Sequence, residues 1–173
     1  MDLASLRLTG VKGDDITRTT VTIDPHVGFD FAAPGGAGGQ GHIFLRDPLS
    51  DAFVELSIDL SSGRLCGATT VGTMPVGANV RLDHLPTTHG LPVFGAHGFD
   101  RDAVMPAHDV AAALSVAIGS DTILLRWTAD LPDARVTCGR AMFLFLDQTL
   151  VGMGAQSLTA AEIKLARQTL VSS

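Results

Sequence analysis

Apolar and polar residues alternate with a period of two along much of the chain. The clearest stretch is residues 52–60. There Val54, Leu56, Ile58 and Leu60 fall on one side, and Glu55, Ser57 and Asp59 on the other. A period of two places successive side chains on opposite faces of a strand, so each such stretch predicts a strand with one buried face. The same text recurs as an apolar alternation, an Asp, a turn, then Leu-x-Gly. It runs first through Asp59 to Leu65-Cys66-Gly67, and again from Met142 through Asp147 to Leu150-Val151-Gly152. A looser copy runs from Leu125 to Asp130, turns at Pro132-Asp133 and restarts at Arg135-Val136. Repeated hairpins of this kind predict a mainly β (α+β) fold, an antiparallel β-sandwich or barrel.

Strands are predicted at residues 18–24, 27–32, 42–46, 52–60, 64–71 and 79–82, with Val27, Phe29 and Phe31 on one face of the second. Ser61-Ser62-Gly63 and Asp47-Pro48 supply turns. A last long hairpin is expected from 122–130 and 135–147, with 149–156 pairing back. Residues 84–105 carry Pro86, Gly90, Pro92, Gly95 and Gly98 and keep no period, which predicts a long irregular centre. Residues 106–118 fit a central helix, with Val110, Ala113, Leu114, Ala117 and Ile118 on one face, Pro106 near the start and Gly119 at the end; the same Ala-rich, Val-containing text also fits a strand. Thr159-Ala160-Ala161-Glu162 has the spacing of a capping box, so a C-terminal helix is predicted over 159–170, with Ile163, Ala166 and Leu170 toward the sheet.

A chain of 173 residues suits a single β-rich domain over 1–173. Two similar halves, about 18–79 and 80–156, are suggested by comparable text. One runs Val21 to Asp24, through Asp59-Leu60, to Cys66-Gly67; the other runs Val80 to Asp83, through Asp130-Leu131, to Cys138-Gly139.

Charge narrows the partners. Acids outnumber bases 18 to 12, for a net charge of −6. There is no Lys/Arg cluster, which speaks against nucleic acid and anionic lipid surfaces. No run of about 20 apolar residues occurs, so no membrane-spanning helix is expected. The N-terminus lacks the basic and apolar regions of a signal peptide, and the two cysteines read as reduced, buried thiols; both point to the cytoplasm.

Motifs for chemistry are sparse. Gly36-Ala37-Gly38-Gly39-Gln40-Gly41 matches G-x-G-x-x-G, but His42 to Arg46 after it reads as strand. Pyrophosphate binding needs a helix N-terminus there, so no nucleotide cofactor is expected. Four of the six histidines, His84, His89, His97 and His108, lie in or beside the irregular centre, without the spacing of a preformed metal site. If the chain is catalytic, His84 beside Asp83 and His97 near Asp100 are the general acid–base candidates, since a carboxylate orients an imidazole and stabilises its cation. For binding, the candidates are His89 and the loop residues Leu91, Phe94 and Phe99, which have no alternation to bury them; exposed, the last three make an apolar contact patch, and buried, they plug the end of the barrel or sandwich.

These features favour an acidic β-rich binding protein that neutralises or regulates a protein partner. The alternative is a small β-barrel or sandwich enzyme of lyase, isomerase or cyclase type, acting on an apolar small molecule through His and Asp. Self-association through strand edges, giving a homo-oligomer, is a third class. An enclosed apolar cavity lined by His or Asp would favour the enzyme, and a flat acidic patch the binder.

Overall fold

The computed structural model describes residues 6–13, 16–35, 39–95, 99 and 106–171. The chain is mainly β, with one α-helix at its C-terminal end. The strands are β1 (Leu8–Lys12), β2 (Thr20–Asp24), β3 (Gly28–Ala32), β4 (Gln40–Arg46), β5 (Phe53–Asp59), β6 (Leu65–Val71), β7 (Thr87–His89) and β8 (Leu91–Phe94). They continue as β9 (Ala107–Ala111), β10 (Ser115–Ile118), β11 (Ile123–Arg126), β12 (Ala134–Cys138), β13 (Ala141–Leu146) and β14 (Thr149–Ala155), followed by α1 (Ala160–Leu170).

Two six-stranded sheets face each other as a sandwich, and neither closes into a barrel. One has the order β2-β3-β6-β5-β4-β9 and the other β10-β11-β14-β13-β12-β7. Read strand by strand, the order is the same in both. Five consecutive antiparallel strands make each sheet, and the sixth is parallel at one edge: β9 beside β4, and β7 beside β12. Both edge strands come from the connector between the two five-strand units. Matching the pairings sets Val21 against Val116 and Cys66 against Val151, whereas the sequence comparison aligned Val21 with Val80 and Cys66 with Cys138.

The inner faces share one core, as the alternation requires. Val54, Leu56 and Ile58 from β5 belong to one core with Phe143 and Phe145 from β13, and the Phe31 and Phe143 rings touch edge to face with centroids 5.3 Å apart. At one end the β1–β8 ribbon plugs the sandwich. Leu8 N–H donates to the Gln148 carbonyl (2.7 Å) and Phe94 N–H to the Gly63 carbonyl (2.8 Å), one in each sheet's hairpin turn. The helix packs against β2, β3 and β10 through buried Ile163, Ala166 and Leu170, as predicted, and Thr159 caps it with the capping box complete.

The second sheet is buried on both faces. Leu124, Met142, Leu144 and Val151 point away from the core yet are covered by Val80, Leu82 and Leu85. Residues 79–82 are thus an irregular strap lying over the sheet and not the strand expected there.

Two further expectations are corrected. Residues 106–118 form no helix; they supply β9 and β10. Val110, Ala112, Leu114 and Val116 alternate with the more exposed Ala111, Ala113 and Ser115, so the text carries a period of two as well as a helical one. The open edge of β4 supplies the partner that decides between them. The stretches 122–130 and 135–147 do not pair with each other. β11 pairs with β10 and β14, while 135–147 breaks at Gly139, whose φ of +58° makes the tight β12–β13 turn.

Candidate functional site

The outer face of the first sheet, unlike that of the second, presents polar and aromatic groups. Alternation in β4 sends Ile43 and Leu45 inward and His42, Phe44 and Arg46 outward; in β5 it sends Phe53, Glu55 and Ser57 outward. The register sets His42 opposite Ser57, Phe44 opposite Glu55 and Arg46 opposite Phe53. These six side chains therefore form a compact grid.

Two clusters result. His42 Nδ1 lies 2.7 Å from Glu55 Oε1 and 3.4 Å from Ser57 Oγ, and the imidazole stacks on Phe44 with centroids 6.4 Å apart. The Arg46 guanidinium lies over the Phe44 ring (5.0 Å) and the Phe53 ring (5.2 Å), and it pairs with Asp109 of β9. A cation over an aromatic face is attracted by the ring quadrupole. Farther across, Thr69 Oγ1 donates to Asp30 Oδ1 (2.6 Å). Among the described residues, Asp30, Glu55 and Asp109 on this face outnumber its one permanent cation, Arg46, so the face is acidic with an aromatic centre.

The Ser57–His42–Glu55 trio is not a nucleophile-activating triad. Both oxygens address the same ring nitrogen, whereas proton relay needs the serine on one nitrogen and the carboxylate on the other. The thiols offer no nucleophile either. Cys66 and Cys138 are free and buried. Burial, with Asp59 nearby in the first case, pushes both thiols above their usual range.

The residues singled out from sequence are scattered. Asp83 and His84 sit in an exposed turn. Their Nδ1–Oδ1 separation is 3.7 Å, and each side chain is about two-thirds exposed, at 66% and 67%. Asp83 accepts from Arg81 (3.1 Å), and that bond lowers its pKa. His84 forms part of the rim of a cleft of about 300 Å³ with Val80, Leu131 and Pro132. His89 is exposed on β7, with Nδ1 2.8 Å from Thr137 Oγ1. His97 lies outside the described residues, as do residues 36–38 of the Gly36 to Gly41 stretch; its last two residues, Gln40 and Gly41, already belong to β4, so a strand and not a helix follows the glycines.

Of the two placements open to Leu91, Phe94 and Phe99 from sequence, exposed patch or buried plug, they take the buried one. All three are buried, the first two because the ribbon that carries them seals the end of the sandwich. The His108 ring packs against Phe99 with centroids 5.0 Å apart. Asp59, expected on the polar face, is 1% exposed. Its carboxylate folds over the turn and accepts from Ser61 N, Ser61 Oγ and Ser62 N. Among the described residues no three His, Cys, Asp or Glu side chains gather as a metal would require, and no helix is long and apolar enough to cross a membrane.

No protein-family model matches the chain, and no curated protein is significantly similar to it in sequence.

Proposed function

We propose that the chain is a cytoplasmic binding protein that uses the outer face of the first sheet to hold a protein partner presenting basic side chains. One observation carries this reading: Phe44, Arg46 and Phe53 form a half-exposed stack on a face where Asp30, Glu55 and Asp109 outnumber the cations. Aromatic and Arg side chains are the groups that most often dominate binding energy at an interface. Surrounding acids steer a basic partner and reject acidic ones. The strap over the opposite sheet strengthens the contrast, since it closes the outer face that would otherwise be the more apolar of the two.

The test compares the wild-type chain with a Phe44→Ala/Phe53→Ala variant of unchanged thermal stability. Each is immobilised and exposed to lysate of the organism that encodes it, at low and high salt. The expected result is one basic protein, held by the wild type, released by salt and not held by the variant. Equal recovery by both proteins, or an acidic partner, defeats the reading. Native mass spectrometry showing only copies of this chain replaces it with self-association.

A further inference from the structure

We propose that a second site, on the other sheet, binds a small organic carboxylate through Arg126. Arg126 is 6% exposed, the most buried cation among the described residues. Its Nη2 donates to the Asp130 carbonyl (2.6 Å), and its Nε is buried without any partner. No described carboxylate lies within ion-pair distance, whereas Arg46, Arg81 and Arg140 each have one. A guanidinium stays charged under all ordinary conditions, and burying it without a countercharge is strongly unfavourable. An anion binding in the adjoining cleft would supply that countercharge.

The surroundings are shaped for one. Arg126 pairs across the ladder with Ser115 on one side and Gly152 on the other, so all three lie on the outer face of the sheet. Gly152 leaves room for the arginine stem: a Cβ there would stand 3.1 Å from Arg126 Cγ. Arg126 lines a cleft of about 360 Å³ together with Ser115, Thr128 and the apolar Pro75, Ala78 and Leu114. That volume lies within the range of small-ligand sites. The cleft walls are fixed. Val116 N–H donates to the Pro75 carbonyl (3.0 Å) and Gly77 N–H to the Val116 carbonyl (2.8 Å), which ties the 75–77 stretch to the edge of β10. Thr128 and Asp130 bond reciprocally, Oγ1 to Oδ2 and Asp130 N–H to Oγ1, which holds the carbonyl that orients the guanidinium.

The fold itself does not ask for an arginine here. In the first sheet the matching position, opposite Gly67 as Arg126 is opposite Gly152, is Ala32. A guanidinium fork matches a carboxylate with two parallel hydrogen bonds, and the Pro, Ala and Leu walls suit an apolar body behind it. The ligand class is therefore a monocarboxylate of about the size of benzoate or hexanoate.

The probes are benzoate and hexanoate, with benzamide and hexanamide as uncharged matches and inorganic phosphate as a bare anion. Isothermal titration and thermal unfolding of the full chain read the result. The carboxylates are expected to bind and to raise Tm by mass action, the amides and phosphate to do neither. Arg126→Met should keep the fold and weaken carboxylate binding roughly ten- to hundred-fold, as expected for losing a charge-assisted contact. Should that variant not fold, Ala78→Phe fills the cleft from an exposed position and should abolish binding with Arg126 intact. Absence of carboxylate binding, equal binding of amide or phosphate, or undiminished binding by the folded variants overturns the proposal. In that case Arg126 serves only to hold the Asp130 carbonyl, and Arg126→Met lowers Tm with no ligand effect in either protein.

Discussion

Cys66 and Val151 hold the same place in two different sheets. Each is the one extra residue in its strand, between Gly67 and Leu65 where these face Ser57 and Ile58, and between Gly152 and Leu150 where these face Leu144 and Phe145. A bulge of this kind bends the strand and increases its twist. The Leu-x-Gly text is the sequence form of that bulge, with x the unpaired residue. In the first sheet the extra residue is a thiol, whose Sγ donates to the Ser57 carbonyl (3.2 Å).

That placement makes the thiol inert. Burial raises the pKa of both Cys66 and Cys138, and only the thiolate attacks disulfide reagents. An aromatic disulfide reagent at pH 8 should therefore label neither cysteine quickly in the native chain and both at once in denaturant. Rapid labelling of the folded protein would show that the bulge is open to solvent.

The sandwich can be tested at its centre. Phe31 and Phe143 touch edge to face across the two sheets. Replacing each by Leu, singly and together, should give a coupling of about 0.5–1.5 kcal/mol in urea unfolding. Purely additive effects would mean that these inner faces do not meet.

Gly154 faces outward on β14, where a Cβ would run into the Ile123 backbone. No flexible side chain can yield there. Gly154→Ala is expected to cost about 1–3 kcal/mol, as overpacking does. A variant as stable as wild type would show that β11 and β14 lie farther apart.

The helix cap carries a pH signature. Glu162 accepts from the Thr159 backbone N–H (2.8 Å) and from Arg140 Nη2 (2.8 Å), which together hold its pKa at about 2 against an ordinary 4.5. A pKa depressed on folding means that the charged form stabilises the native state. The contribution is complete above about pH 4.5 and disappears as the pH falls toward 2. Glu162→Gln should accordingly flatten the loss of urea resistance between pH 5 and 2.5. Thr159→Ala should cost about 1 kcal/mol near neutrality. The same acid slope in the Gln variant would assign the titration elsewhere.

Local patterns were legible in the sequence where one residue's neighbours decide its fate. The period of two fixed the inward side of β5, and the box at Thr159 fixed the start of the helix. Pairing between distant strands was not legible. His42 and Glu55 were each visible as strand residues, but only the β4–β5 register joins them. The 106–118 text satisfied both periods until the edge of β4 decided the matter. Leu91 and Phe94 had no alternation to mark them as core because the ribbon buries them at the end of the sandwich and not on a sheet face. Arg126 stood in strand-like text, and nothing local indicated that it would be buried in a cleft beside Pro75 and Ala78.

The edge strands drawn from the connector have a consequence for synthesis. Strands β2 to β6 can assemble once Val71 has been made, but the β4 edge is paired only when β9 arrives. While residues 72–111 are being added, roughly 2–8 s at ordinary elongation rates, that edge is open to any other nascent or misfolded chain. β7 has the opposite difficulty, since it exists before its partner β12 does. The growing polypeptide thus passes through a period when one sheet lacks an edge and the other edge lacks a sheet, and a pause in translation within the connector would prolong its exposure to aggregation.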